Sequence, residues 1–292
     1  MLGIRWQDRV VWALLLLAGS WSSASAQSPE NPLGMCATPG ALMLCGGGRM
    51  SEDVYREFIR LAGGEDAHLV LIPSAYEFSS PEAIRTRYSG WLSYNVASFT
   101  FLDAKSHQEA DTDAFAAPLE RATGVWIGGG SQGRLATLYN GTKTEAALKG
   151  VLERGGVVGG TSAGASIVSS CMIRHGTSTE AVCDQGLGLL EHCVVDQHFS
   201  QRNRLERLLG VLEKHQAQLG IGIDEGTAVV VREDRLKVLG ASRATVCLPD
   251  PFSRAVTLHR LKDGEEVHLS LESREKAKKE ILAWQLERAS SD

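Results

Sequence analysis

The chain has 292 residues, 43% hydrophobic and 22% charged, an ordinary globular balance with enough apolar side chains for a core of substantial size. A formal net charge of −5, from 30 Lys+Arg against 35 Asp+Glu, excludes the basic excess of a general nucleic-acid binder. Beyond the N-terminal segment, no stretch is long and apolar enough to span a bilayer.

Arg5 and Arg9 precede the apolar run Val10 to Ala18, and Ala24-Ser25-Ala26 offers an A-x-A cleavage site. Residues 1–26 therefore read as a secretory signal peptide, with a mature chain starting at Gln27, exported to the periplasm or out of the cell and carrying no membrane anchor after cleavage. Residues 27–40 mix Pro, Asn, Gly and Ser and read as a lead-in linker; 41–292 read as a single catalytic domain.

From Ala41 the pattern alternates. Apolar strands are predicted at Ala41 to Cys45, His68 to Ile72, Ala97 to Leu102, Val125 to Ile127 and Val157-Val158. Between them fall helices at Ser51 to Leu61 with Ser51 as N-cap, Pro81 to Leu92, Ala114 to Arg121, and from Gln132 to Arg154. This rhythm predicts a three-layer α/β sandwich with a mostly parallel central sheet, whose site-forming loops lie at the carboxyl ends of the strands. Glycine-rich breaks at Gly46, Gly128 and Gly159 all fall there. None gives a dinucleotide fingerprint in its proper frame, and the Walker pattern is absent, so no cofactor is expected.

A helix is predicted from Ala165 to Cys171, then loop from Gly176 to Leu190, a strand at Cys193 to Gln197 and a helix at Arg202 to Gln216. In that helix Leu205, Leu208, Leu209 and Leu212 share one face. Strand Ile221 to Ile223 leads to Asp224-Glu225-Gly226. Four further strands, 228–232, 236–239, 244–248 and 255–261, predict an antiparallel extension of the same sheet, and 273–289 a polar helix.

Six cysteines, at 36, 45, 171, 183, 193 and 247, permit up to three disulfides after export, in pairings the sequence does not choose. A bridge among Cys171, Cys183 and Cys193 would staple the loop before His198. No Cys/His spacing matches a zinc motif, so no metal is expected.

Gly160-Thr-Ser-Ala-Gly164 fits G-x-S-x-G: a serine at a sharp strand-to-helix turn, where small neighbours allow the bend and the helix start offers N–H groups to an oxyanion. A nucleophilic Ser162 needs a base and an acid to orient it. His198 and Glu225 end two predicted strands and converge on the same sheet edge, in an order, Ser-His-acid, foreign to α/β-hydrolases. The other seven of the eight histidines, His215 among them, read as structural.

Three motifs in this order, Gly160-Thr-Ser-Ala-Gly-Ala165, Asp196-Gln-His-Phe199 with Arg202, Arg204 and Arg207, and Asp224-Glu-Gly-Thr-Ala228, resemble the cyanophycinase branch of the serine peptidase family that also contains aspartyl dipeptidase. The resemblance covers roughly residues 41 to 250 and implies a flavodoxin-like fold similar to class I glutamine amidotransferases. It implies Ser162, His198 and Glu225 as triad, and Gly130 and Ala163 as oxyanion-hole donors. Gln132, Asp196, Gln197, Arg202, Arg204 and Arg207 would line the substrate site. The implied substrate is cyanophycin or a similar polypeptide rich in Asp and Arg, cut to β-Asp-Arg dipeptides, and the implied assembly is a homodimer. Relatives commonly carry Asp where this chain has Ser131, which bears on substrate preference. Two other readings stay open: a peptidase for short aspartyl peptides, and a catalytically silent binding module.

Overall fold

Strand β1 (Ala41–Cys45) is buried along its whole length, as a strand covered on both faces must be. Its residues alternate between two cores: Leu42 and Leu44 enter one, Ala41, Met43 and Cys45 the other. The structure, a computed structural model, describes residues 38–177, 180–215, 219–250 and 255–269; Cys36, the predicted signal peptide and the predicted C-terminal helix lie outside them.

After β1 come α1 (Glu52–Leu61), β2 (His68–Ile72), α2 (Pro81–Arg87), α3 (Ser89–Leu92) and β3 (Ser98–Phe101). Then follow α4 (His107–Ala110), α5 (Asp113–Arg121), β4 (Gly124–Ile127), α6 (Gln132–Tyr139), α7 (Lys143–Glu153) and β5 (Val157–Thr161). Strands β1, β5, β4, β2 and β3 are neighbours in that order, each pair parallel. Val70, Ile72, Val125, Ile127 and Val158 join Leu42 and Leu44 on one face, whereas Leu69, Leu71, Trp126 and Val157 turn to the other. On that second face Phe58, Trp91 and Trp126 pack ring against ring, with centroids 4.9 to 5.2 Å apart. The fold is thus mixed α/β with a mostly parallel sheet between helices, as expected.

Downstream of β5 lie α8 (Ala163–Ser166), β6 (Cys171–His175), β7 (Val182–Gln185), β8 (Cys193–Gln197), α9 (Leu205–His215) and β9 (Leu219–Ile223). The chain continues through β10 (Thr227–Arg232), β11 (Arg235–Gly240), β12 (Arg243–Pro249), β13 (Val256–Lys262) and β14 (Glu266–His268). The order β14-β11-β10-β1-β5-β4-β2-β3 forms an eight-stranded sheet whose first three members are the antiparallel extension. Strands β12 and β13 do not continue it. They belong to a second, four-stranded sheet, β13-β12-β9-β8, in which β8 and β9 run parallel.

Local departures have local causes. The helix expected over 81–92 breaks at Tyr88, where the backbone leaves helical geometry (φ −100°, ψ 14°). The helix expected from Ala165 to Cys171 stops at Ser166, because Cys171–His175 pairs with Val182–Gln185 in a hairpin placed where loop was expected. Ser51 occupies the N-cap of α1, but its hydroxyl is buried and makes no capping hydrogen bond. In α9, Leu208 and Leu212 are buried and Leu205 and Leu209 pack against them, as the spacing predicts.

Candidate active site

Ser162 sits between β5 and α8 with φ 53° and ψ −112°, a left-handed backbone unusual for a residue with a side chain. Its N–H donates to the Cys45 carbonyl, 3.0 Å away, tying the turn to the end of β1. The flanking glycines are sterically required. A Cβ on Gly160 would lie 2.4 Å from the Gly164 carbonyl oxygen, and one on Gly164 would lie 2.1 Å from that of Ile127.

The ends of β8 and β9 bring the partners. Ser162 Oγ lies 2.9 Å from His198 Nε2, and His198 Nδ1 lies 2.5 Å from Glu225 Oε1. With the imidazole proton on Nδ1, directed at the carboxylate, Nε2 is left to accept the serine proton. His198 is also left-handed (φ 50°), and its N–H donates to the Gly46 carbonyl at 2.7 Å.

The glycine run after β1 seats both partners, a role no motif in the sequence reveals. A Cβ on Gly47 would lie 2.3 Å from His198 Cε1, and one on Gly48 would lie 2.9 Å from Glu225 Cβ. Both glycines have positive φ, 97° and 71°. Bare backbone is the only surface against which the ring and carboxylate fit.

The second glycine break passes over the serine turn: a Cβ on Gly129 would lie 3.3 Å from that of Ser162. Gly130 is held against Ala75, whose carbonyl oxygen a Cβ on Gly130 would approach to 2.3 Å. Ala163 is the first residue of α8, so its N–H has no intrahelical acceptor. Ser131 caps α6, its hydroxyl accepting from the Arg134 N–H at 3.2 Å. An aspartate at that position could make the same cap.

The polar residues around His198 are largely engaged with one another. Arg207 donates to both oxygens of Asp196, Nε to Oδ2 at 2.9 Å and Nη2 to Oδ1, and both residues are buried. Arg204 donates to Asp196 Oδ1 at 3.2 Å and to the carbonyl and side chain of Gln197. Burial pulls the Arg204 guanidinium below its ordinary pKa, against the pull of Asp196. Gln132 donates from Nε2 to the carbonyls of Ile173 at 2.8 Å and Arg174 at 3.0 Å. Arg202 lies exposed at the mouth of the loop after His198. Asp224 holds that loop from beneath, accepting from the Ser200 N–H at 2.9 Å and the Ser242 hydroxyl at 2.8 Å.

Residues 42–239 match the model of peptidase family S51. The chain belongs to that family. Among similar proteins, the cyanophycinase of Synechococcus elongatus is 37% identical over 239 residues, 78% of this chain and 73% of the relative. The cyanophycinase of Geminocystis herdmanii is 35% identical over 217 residues, covering 71% and 78% respectively. That of Trichormus variabilis is 32% identical over 261 residues, covering 80% and 87%. The fold of this S51 peptidase is shared with the crystal structure of a peptidase from an acI-B1 Actinobacterium (TM-score 0.62, 23% identity, 78% of this chain and 96% of that one). The protein is therefore a serine-type peptidase.

Beside Ser162 opens a cavity of ≈ 1060 Å³, bounded on the site side by Gly48, Gly129 and Thr161. Aromatic rings, among them Tyr55, Tyr76 and Trp91, form its walls, and Arg49 and Arg87 also line it.

Proposed function

We propose that this S51 peptidase is exported and hydrolyses cyanophycin, or a polymer like it, to β-Asp-Arg dipeptides, with Ser162 as nucleophile, His198 as general base and Glu225 as the acid that orients it. The observation that carries the chemistry is the unbroken chain of contacts from Ser162 Oγ to His198 to Glu225. The substrate follows from the relatives called cyanophycinase.

In this reading His198 Nε2 takes the Ser162 proton as Oγ attacks the backbone carbonyl of the polyaspartate chain. The N–H groups of Gly130 and Ala163 receive the oxyanion. His198 returns the proton to the leaving amine, an acyl-enzyme remains on Oγ, and a water activated by the same imidazole releases it. Each polymer unit carries an arginine guanidinium and a free carboxylate. The aromatic walls of the cavity suit the guanidinium, Arg49 and Arg87 the carboxylate, and exposed Arg202 a carboxylate near the bond to be cut. The Asp196–Arg207 pair, turned inward, holds the floor on which Gln197 and Arg204 rest.

The test incubates the mature chain and Ser162→Ala with insoluble cyanophycin and with α-Asp dipeptides. Release of β-Asp-Arg by the wild type alone is expected. Cleavage of dipeptides alone would transfer the site to the short-peptide reading; binding without cleavage by both proteins would leave a silent module. Export is checked by the N-terminus of protein recovered outside the cytoplasm, expected at Gln27.

A further inference from the structure

Three soft or borderline donors that no sequence spacing links meet on the flank of the site. Cys171 opens β6, Cys183 lies on β7 and His215 closes α9, and one donor atom from each falls within 4.8 Å of the other two. We propose that these side chains form a binding site for a single borderline-soft divalent transition-metal ion of the zinc type.

The donor set suits such an ion: two sulfurs and an imidazole nitrogen are its preferred ligands, at about 2.3 and 2.0–2.1 Å. Tetrahedral ligation at those lengths places neighbouring donors about 3.5–4 Å apart, so a small contraction of the observed cluster closes the site. Three protein ligands leave a fourth position, and the half-buried thiols and exposed imidazole let the ion enter and a water complete the shell.

The strand register favours an ion over a disulfide. Cys171 stands opposite Gln185 and Cys183 opposite Ile173, so the cysteines are diagonal rather than facing, and both thiols are free. Diagonal neighbours in a sheet stand about 7 Å apart at the backbone, beyond the commonest Cα spacing of a disulfide, about 5.5–6 Å. An ion that binds the two sulfurs, already within 4.8 Å, requires no closer approach of the backbones. It also gives His215 a role that a two-sulfur bridge does not.

Position gives the site a consequence. The hairpin it would clamp to α9 accepts Gln132 at Ile173 and Arg174, and Arg207 at Gly176 (3.0 Å). An ion bound here braces the hairpin against the helix that carries Arg207. Binding releases the two thiol protons to solvent, so affinity rises with pH.

The mature full-length protein, purified with and without reductant, is stripped with a chelator and titrated with Zn²⁺ and with Co²⁺. One equivalent of metal per chain, a thiolate-to-cobalt charge-transfer band and a Tm that climbs with zinc are expected. His215→Ala, at an exposed helix end, leaves the fold intact and should weaken zinc binding about tenfold or more, on the scale of lost ligand-sphere partners. Cys171→Ser with Cys183→Ser should abolish the band. The proposal fails if no stoichiometric metal binds the reduced protein, or if His215→Ala binds it as tightly as wild type. It fails equally if protein purified without reductant lacks two hydrogens in a peptide bridge between Cys171 and Cys183, which would make the pair a disulfide.

Discussion

Ser162 and His198 both hold left-handed backbones, at φ 53° and 50°, and neither would do so without surroundings that fix them. For His198 those surroundings are Gly47 and Glu225. In Gly47→Ala a methyl 2.3 Å from Cε1 must push the ring aside. A displacement of that order is expected to lower kcat about a hundredfold, measured by initial rates against a polymer substrate. Glu225→Gln keeps the shape but favours the wrong tautomer, and kcat should fall about 10⁴-fold with KM nearly unchanged. The meeting of Ser162, His198 and Glu225 was legible because motif order and strand ends single them out. Gly47 and Gly48 were not, since a glycine run after a strand reads equally as a turn or an anion cradle, and only the packed ring distinguishes these. Likewise, the resemblance implies Arg204, Arg207 and Asp196 as substrate contacts, whereas their mutual pairing becomes visible only when β8 and α9 are docked.

Among the elements, the parallel strands β1, β2, β4 and β5 were legible as short apolar runs because burial on both faces removes any need for polar alternation. Hairpin β6–β7 was not: Cys171–His175 is half exposed, follows the elbow helix after four residues, and carries neither a turn dipeptide nor clean alternation. The departure of β12 and β13 to a second sheet was also hidden, since antiparallel neighbours in one sheet or two leave the same local pattern. Strand β8 and helix α9 are tied by a buried ion pair, Asp196 with Arg207. Asp196→Asn should leave the Arg207 charge buried beside a neutral amide, at a cost of about 3–5 kcal/mol. Urea unfolding followed by circular dichroism measures that loss, and an effect below 1 kcal/mol, about the range of an exposed pair, would show that water reaches Arg207.

At the scale of the whole molecule, burial pushes the Cys247 thiol up to about 12 from 9.0 and the Tyr139 hydroxyl up to about 12 from 10.0. Both groups are neutral in the fold at pH values where the unfolded chain ionises them, so the unfolded state then holds fewer protons. Their contribution is therefore complete below about pH 9 and is lost as pH rises toward 12. Thermal melts should show Tm declining across that interval, and Cys247→Ala should make the decline shallower. An unchanged slope would assign the alkaline loss to other groups.

Ser162 and His198 stand on different sheets: Ser162 follows β5 of the eight-stranded sheet, while His198 and Glu225 follow β8 and β9 of the four-stranded one. Where the glycine run passes between them, His198 N–H donates to Gly46 at 2.7 Å and Gly226 N–H to Gly47 at 2.9 Å, and the Ser166 hydroxyl donates to the Val195 carbonyl of β8 at 3.1 Å. The two sheets also share one hydrophobic core, in which Val195, Ile221 and Ile223 lie with Leu42, Leu44 and Val158, so Oγ and Nε2 part only when that core loosens. Activity and helix content should accordingly be lost over the same interval on warming, and activity that fades several degrees below the loss of ellipticity would show the seam to be weaker than the sheets it joins.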